Sequence, residues 1–162
     1  WVSLELSNKV ARVTGVDPAP APVPAAPGGP APVADTAAPV VSGLRLRPGT
    51  VRRTRPRNPV ATFSLSEAAT VTLTLQRLTP GRRRGAVCRT ARSAHAGVRC
   101  VKVTSVGTLK RTAPAGAARV TIAVKRRGRV LATGSYRLSV VAVDAAGNRS
   151  TVARTPLVIR SR

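Results

Sequence analysis

From Val40 onward the sequence alternates apolar and polar residues with a period of two, a texture that suits pleated strands and leaves little room for anything else. Val71, Leu73 and Leu75 alternate with Thr72, Thr74 and Gln76, and Val120, Ile122 and Val124 alternate with Thr121 and Ala123. Strands patterned in this way bury one face and wet the other. Turn-forming residues interrupt the alternation at short intervals, and no helical period of comparable length competes. Strands are expected near residues 40–47, 60–66, 70–78, 98–110, 117–124, 135–144 and 151–160. The expectation is therefore an all-β fold, a seven-stranded antiparallel β-sandwich over residues 40–162.

Two segments precede it. Residues 17–39, DPAPAPVPAAPGGPAPVADTAAP, hold more than half of the fourteen prolines and no charged residue between Asp17 and Asp35. Repeated Ala-Pro favours polyproline II, so this stretch reads as a Pro/Ala-rich, semi-rigid linker. Residues 1–16, WVSLELSNKVARVTGV, read as two short strands about the Ser7-Asn8 turn. A lone hairpin is not stable in water, so these residues are expected to be the end of an upstream β domain. With no Met in the sequence and Trp1 in first place, the expectation is a fragment or a processed chain. No stretch is long and apolar enough to span a bilayer as a helix.

Charge narrows the choice of partner. The chain has 28 Lys+Arg against 5 Asp+Glu, a formal net charge of +23. The charges before Asp35 (Glu5, Lys9, Arg12 and Asp17) cancel, so the whole excess belongs to the last 128 residues. Such a field calls for a polyanionic neighbour or a tolerance for one. The basic residues gather in three places expected to be loops: Arg52, Arg53, Arg55 and Arg57 after the first strand, Arg82, Arg83 and Arg84 after the third, and Lys125, Arg126, Arg127 and Arg129 after the fifth. In a seven-strand antiparallel sandwich these three loops and the C-terminus emerge at the same end, and the linker enters at the other. Two readings stand side by side: a polyanion-contact surface, or loops in which charge is merely solvated.

Other chemistry is thinly represented. His95 is the single histidine, so neither a multi-histidine metal site nor a catalytic relay with a second histidine can be assembled. The acids of the expected sandwich, Asp35, Glu67 and Asp144, lie on different segments, and calcium takes six or more oxygens. No phosphate-loop or dinucleotide fingerprint appears, and no cofactor or metal is expected. One Trp, one Tyr and one Phe leave no set of aromatics for stacking bases, so sequence-specific nucleic-acid recognition is not expected. Cys88 and Cys100 flank CRTARSAHAGVRC between two expected strands. In an exported chain this even pair reads as a disulfide, contributing about 3 kcal/mol by loop entropy, against the alternative of two reduced cytosolic thiols.

The phrase GSYRLSVVAVDAAGNRS at residues 134–150 resembles the last hairpin of bacterial immunoglobulin-like and fibronectin type III-like domains. With DTAAPVVSGLRL at 35–46 and FSLSEAATVTLTL at 63–75, the resemblance extends over nearly all of residues 35–162 and points to C-terminal modules of secreted actinobacterial proteins. Asp144, Gly147 and Asn148 suit the turn of that hairpin, since Asp and Asn side chains bond to nearby backbone and Gly and Asn accept positive φ. Tyr136 is placed either as a tyrosine corner, its hydroxyl tied to backbone, or as simple core packing. Residues 1–16 resemble a tryptophan-led repeat of the streptogramin (virginiamycin B) lyase type of β-propeller.

What these resemblances imply is a secreted or cell-surface, non-catalytic module that spaces or tethers an upstream domain to an anionic cell-wall polymer or polysaccharide. One alternative is the C-terminal part of a lyase-like propeller protein whose activity lies upstream. A second is a non-specific polyanion or nucleic-acid binder.

Overall fold

The computed structural model describes residues 35–90 and 97–162. The expectations for residues 1–16, for 17–34 and for His95 lie outside the described residues. The described chain is all β, with no helix. Its strands are β1 (Val41–Arg47), β2 (Thr50–Arg52), β3 (Val60–Leu65), β4 (Ala69–Arg84), β5 (Val87–Thr90), β6 (Arg99–Ala113), β7 (Gly116–Thr121), β8 (Lys125–Arg126), β9 (Arg129–Val130), β10 (Gly134–Val143) and β11 (Ala153–Arg160).

Seven strands are expected and the described residues form eleven. The extra ones are short, and each lacks the alternation that would announce it. β2 has one apolar residue, Val51, between Thr50 and Arg52. β8 and β9 are two-residue strands joined through Arg127 (φ 49°) and Gly128 (φ 76°), consecutive left-handed residues of the kind that match the twist of a tight hairpin. The third expected strand also runs six residues further than its apolar pattern, to Arg84, through Pro80-Gly81. Pro80 falls where pairing with β10 has stopped at Leu78 and pairing with β5 has not yet begun at Gly81, a gap that tolerates a missing N–H.

Three strands form one sheet in the order β1-β3-β7, and a second sheet runs β2-β11-β10-β4, with β5 and β6 also paired to β4. The expectation of a purely antiparallel fold is corrected by β2, which lies parallel to β11 with Val158 opposite Thr50 and Arg160 opposite Arg52. β1 leaves the first sheet at Arg47-Pro48, and β2 joins the second, where Val51 reaches the core at 2% exposure.

Both sheets contribute to one hydrophobic cluster. Ala61, Phe63 and Leu65 come from β3, Val71, Leu73 and Leu75 from β4, Tyr136, Leu138 and Val140 from β10, and Leu157 and Ile159 from β11. The cluster is aliphatic apart from Phe63 and Tyr136. Tyr136 is buried, and its hydroxyl donates to the Ala132 carbonyl at 2.8 Å, so its one polar atom is satisfied inside the core.

A bulge interrupts the β4–β6 ladder: Leu75 faces Gly107 while Gln76 faces Ser105, leaving Val106 unpaired. Because opposite residues of an antiparallel ladder project from the same face, the extra residue reverses the alternation of β6 at that point. Leu109 lies opposite the core residue Leu73, whereas Val103 and Val101 lie opposite Leu78 and Pro80 on the outer face.

Leu138 is 1% exposed at the centre of β10, between β4 and β11. Leu138→Ala is expected to lower unfolding stability by about 3 kcal/mol, whereas Val152→Ala, at an exposed position, should change it by less than about 0.5 kcal/mol, both measured by chemical denaturation.

Candidate functional site

The ladder registers decide which charged residues share an end. Ser135 pairs with Leu78, Gly134 with Ile159 and Arg160 with Arg52, so the start of β10, the end of β11 and β2 lie together. Arg47 and Thr121 both pair with Val60, which brings the ends of β1 and β7 to the start of β3, and the Arg53 amide donates to the Arg160 carbonyl at 2.9 Å. Arg52, Arg53, Arg55 and Arg57, Lys125, Arg126, Arg127 and Arg129, and Arg160 and Arg162 therefore occupy one end of the domain, and all of them are exposed.

Arg82, Arg83 and Arg84 also lie beyond this end, but not in a loop. They are paired residues of β4: all three pair with β5, and Arg82 pairs with β6 as well. Arg52 is likewise in β2, and Lys125, Arg126 and Arg129 are in the β8–β9 hairpin. Arg53, Arg55, Arg57 and Arg127 lie outside strands as expected, and the loop expectation fails for the others because arginine runs carry no periodic signal, while backbone pairing asks nothing of the side chain. The arrangement fixes the cations more firmly than loops would. The Arg82 guanidinium donates to the Gly97 carbonyl at 3.0 Å, and Arg126 donates to the Val106 carbonyl across to β6.

The distal part of β4, with β5 and the start of β6, forms a ribbon stapled by the Cys88–Cys100 disulfide. Gly81 pairs with Cys100 on one side and Thr90 on the other, so the bridge passes over β4 rather than simply closing a loop beside it. The two Cα atoms are only 5.9 Å apart, and only glycine fits beneath. A Cβ on Gly81 would stand 3.0 Å from the Cys88 sulfur and closer still to the Arg89 carbonyl oxygen.

The three described acids stand together at the opposite end, where Arg149 also lies. Asp35, Glu67 and Asp144 were expected to be separate, being far apart in sequence, yet carboxylate oxygens of all three lie within 4.8 Å of one another. The fold brings them together because the start of β1, the β3–β4 turn and the β10–β11 turn share this end. The β10–β11 turn is built as its residues require: Asp144 Oδ1 accepts from the Asn148 amide at 2.8 Å, Asp144 Oδ2 accepts from Asn148 Nδ2 at 2.9 Å, and Gly147 has φ 92°. Asn148 Nδ2 also donates to the Asp35 carbonyl at 2.9 Å, tying down the segment that leads into β1.

The acids titrate in opposite senses. Desolvation, then repulsion by Asp144 and Asp35, pushes the Glu67 carboxyl above its usual range. For Asp144, desolvation opposes ionisation, but hydrogen bonds from the Asn148 side chain and from the amides of Asn148, Gly147 and Ala146 outweigh it and hold the carboxyl below its usual range. A cleft of about 510 Å³ opens between β6 and β7, floored by Leu73, Leu75, Leu138 and Ile122 with Lys125 and Arg126 at its margin.

Comparison with protein-family models, with curated proteins and with solved structures finds no match. Among the described residues, no helix is long and apolar enough to cross a membrane.

Two outcomes follow from this geometry. Gly81→Ala should lower stability by about 1–3 kcal/mol through overpacking against backbone, with amide exchange accelerating first at Cys88 and Cys100. A carboxyl with a raised folded pKa favours the fold below its unfolded pKa, and that contribution is lost as pH rises through the raised range. Glu67→Gln, which cannot ionise, is therefore expected to melt higher than the parent at pH 7, the difference vanishing below about pH 4, where Glu67 is itself protonated. Thermal denaturation at the two pH values measures it.

Proposed function

We propose that residues 35–162 are an immunoglobulin-like β-sandwich acting as a non-catalytic structural and adhesive module, which spaces or tethers an upstream domain to an anionic cell envelope. The observation that carries this reading is the segregation of charge. Every described acid stands at the end where the chain enters, and the basic clusters of β2, the distal β4 and the β8–β9 hairpin stand at the other. An even scatter of solvated arginines would give a uniform positive surface. Segregation gives a dipolar domain whose far end leads into a negative surface. The disulfide supports an oxidising, exported setting.

Binding of the whole chain to isolated cell-wall material over a salt series tests the proposal. The parent should bind with a steep salt dependence. A variant with Arg82, Arg83, Arg84, Lys125, Arg126 and Arg127 replaced by Ser should bind about a hundredfold more weakly, since each cation near an anionic surface contributes about 1 kcal/mol at most. Duplex DNA serves as the competing polyanion. No binding to wall material at low salt sinks the reading, and a strong preference for DNA replaces it with nucleic-acid binding through phosphate charge.

A further inference from the structure

Six large aliphatic residues are prominently exposed among the described residues, and they are not scattered. Val87 (58%), Val98 (74%), Val101 (55%) and Val103 (42%) lie on or beside the stapled ribbon, while Val40 and Val152 lie at the acidic end. The register places three of the four on a single face. Val87 is opposite Arg84, Val101 opposite Pro80 and Val103 opposite Leu78, so Val87, Val101 and Val103 share the outer face with Pro80, Arg82 and Arg84. Arg89 and Arg99, both opposite Arg82, complete that face. The bulge at Val106 is what turns Val101 and Val103 outward; without it they would continue the core side of the sheet.

A soluble polyanion gains nothing from exposed valines. A lipid interface rewards the combination, because guanidinium groups sit among anionic headgroups while aliphatic side chains enter the acyl boundary. We propose that the ribbon of distal β4, β5 and the start of β6 docks on the surface of an anionic phospholipid bilayer, with Val87, Val101 and Val103 inserted and the arginines of the same face on the headgroups. The ribbon projects at the basic end, away from the point where the chain enters, and the disulfide holds its face in shape. This inference rests on the reading of the basic end as a polyanion-contact surface and names the surface.

The test is co-sedimentation of the full chain with vesicles of neutral phospholipid alone and of neutral and anionic phospholipid in equal parts, beside binding to soluble teichoic-acid-type polymer. Of the two vesicle types, binding is expected to the mixed one only, and the soluble polymer is expected to bind as well. Val87→Ser/Val101→Ser/Val103→Ser should weaken vesicle binding roughly tenfold or more while leaving polymer binding unchanged. Val40→Ser/Val152→Ser should change neither. In the parent background, Val101→Trp should gain a blue-shifted emission component on mixed vesicles. Undiminished vesicle binding by the triple Ser variant, or polymer binding without vesicle binding by the parent, overturns the lipid assignment and leaves the polyanion reading standing. Failure of the parent to bind vesicles or polymer at low salt overturns both.

Discussion

From Thr70 to Leu78 β4 is paired along both edges, to β10 and to β6, and beyond Pro80 it exchanges β10 for β5 while keeping β6 as far as Arg82. That continuous strand is the element from which the rest is positioned. Its first half carries Val71, Leu73 and Leu75 into the core, and its second half carries Arg82, Arg83 and Arg84 beyond it. Pairing with β5, joined by β6 as far as Arg82, satisfies backbone polar groups of an unusually polar segment, so an arginine run can be held as strand with no apolar alternation of its own. Core and candidate site are thus consecutive stretches of one backbone.

The two ends of the domain differ because of connectivity, not because of any run in the sequence. Asp35, Glu67 and Asp144 are separated by dozens of residues and meet only because the segment before β1 and two turns are folded to the same place. Their mutual repulsion is partly relieved by Asn148, which donates to Asp144 and to the Asp35 carbonyl and so holds one acid ionised while linking two of the three segments. The cost falls on Glu67, whose carboxyl is the one pushed toward the neutral form.

Much of the fold was legible in the sequence where side chains had to alternate. The seven longer strands, the Asp144 to Asn148 turn and the cysteine pair all leave marks of that kind. What was not legible came from backbone geometry that the side chains do not report. β2 and the β8–β9 hairpin are too short to show a period, and β4 runs on through a Pro-Gly pair that reads as a turn. The bulge at Val106 is the sharpest case: residues 101, 103 and 109 share one parity and would share one face of an unbroken strand, yet the extra residue sends Leu109 inward and both valines outward. The setting of Arg52, Arg82 to Arg84, Lys125, Arg126 and Arg129 in strands could not be read from charge.

The parallel pairing of β2 with β11 has a mechanical meaning. The chain enters beside Asp35, runs through β1 to the far end and pairs there, as β2, with the last strand, which itself finishes at that far end. Tension between the upstream chain and an attachment at the C-terminal end would draw β2 and β11 past one another along their own axis. The Val158 amide to Gly49 carbonyl and Arg53 amide to Arg160 carbonyl bonds, each 2.9 Å, would then be loaded together in shear rather than opened one after another like a zip. A domain strung in that way resists being pulled apart at its seam for as long as the whole set holds.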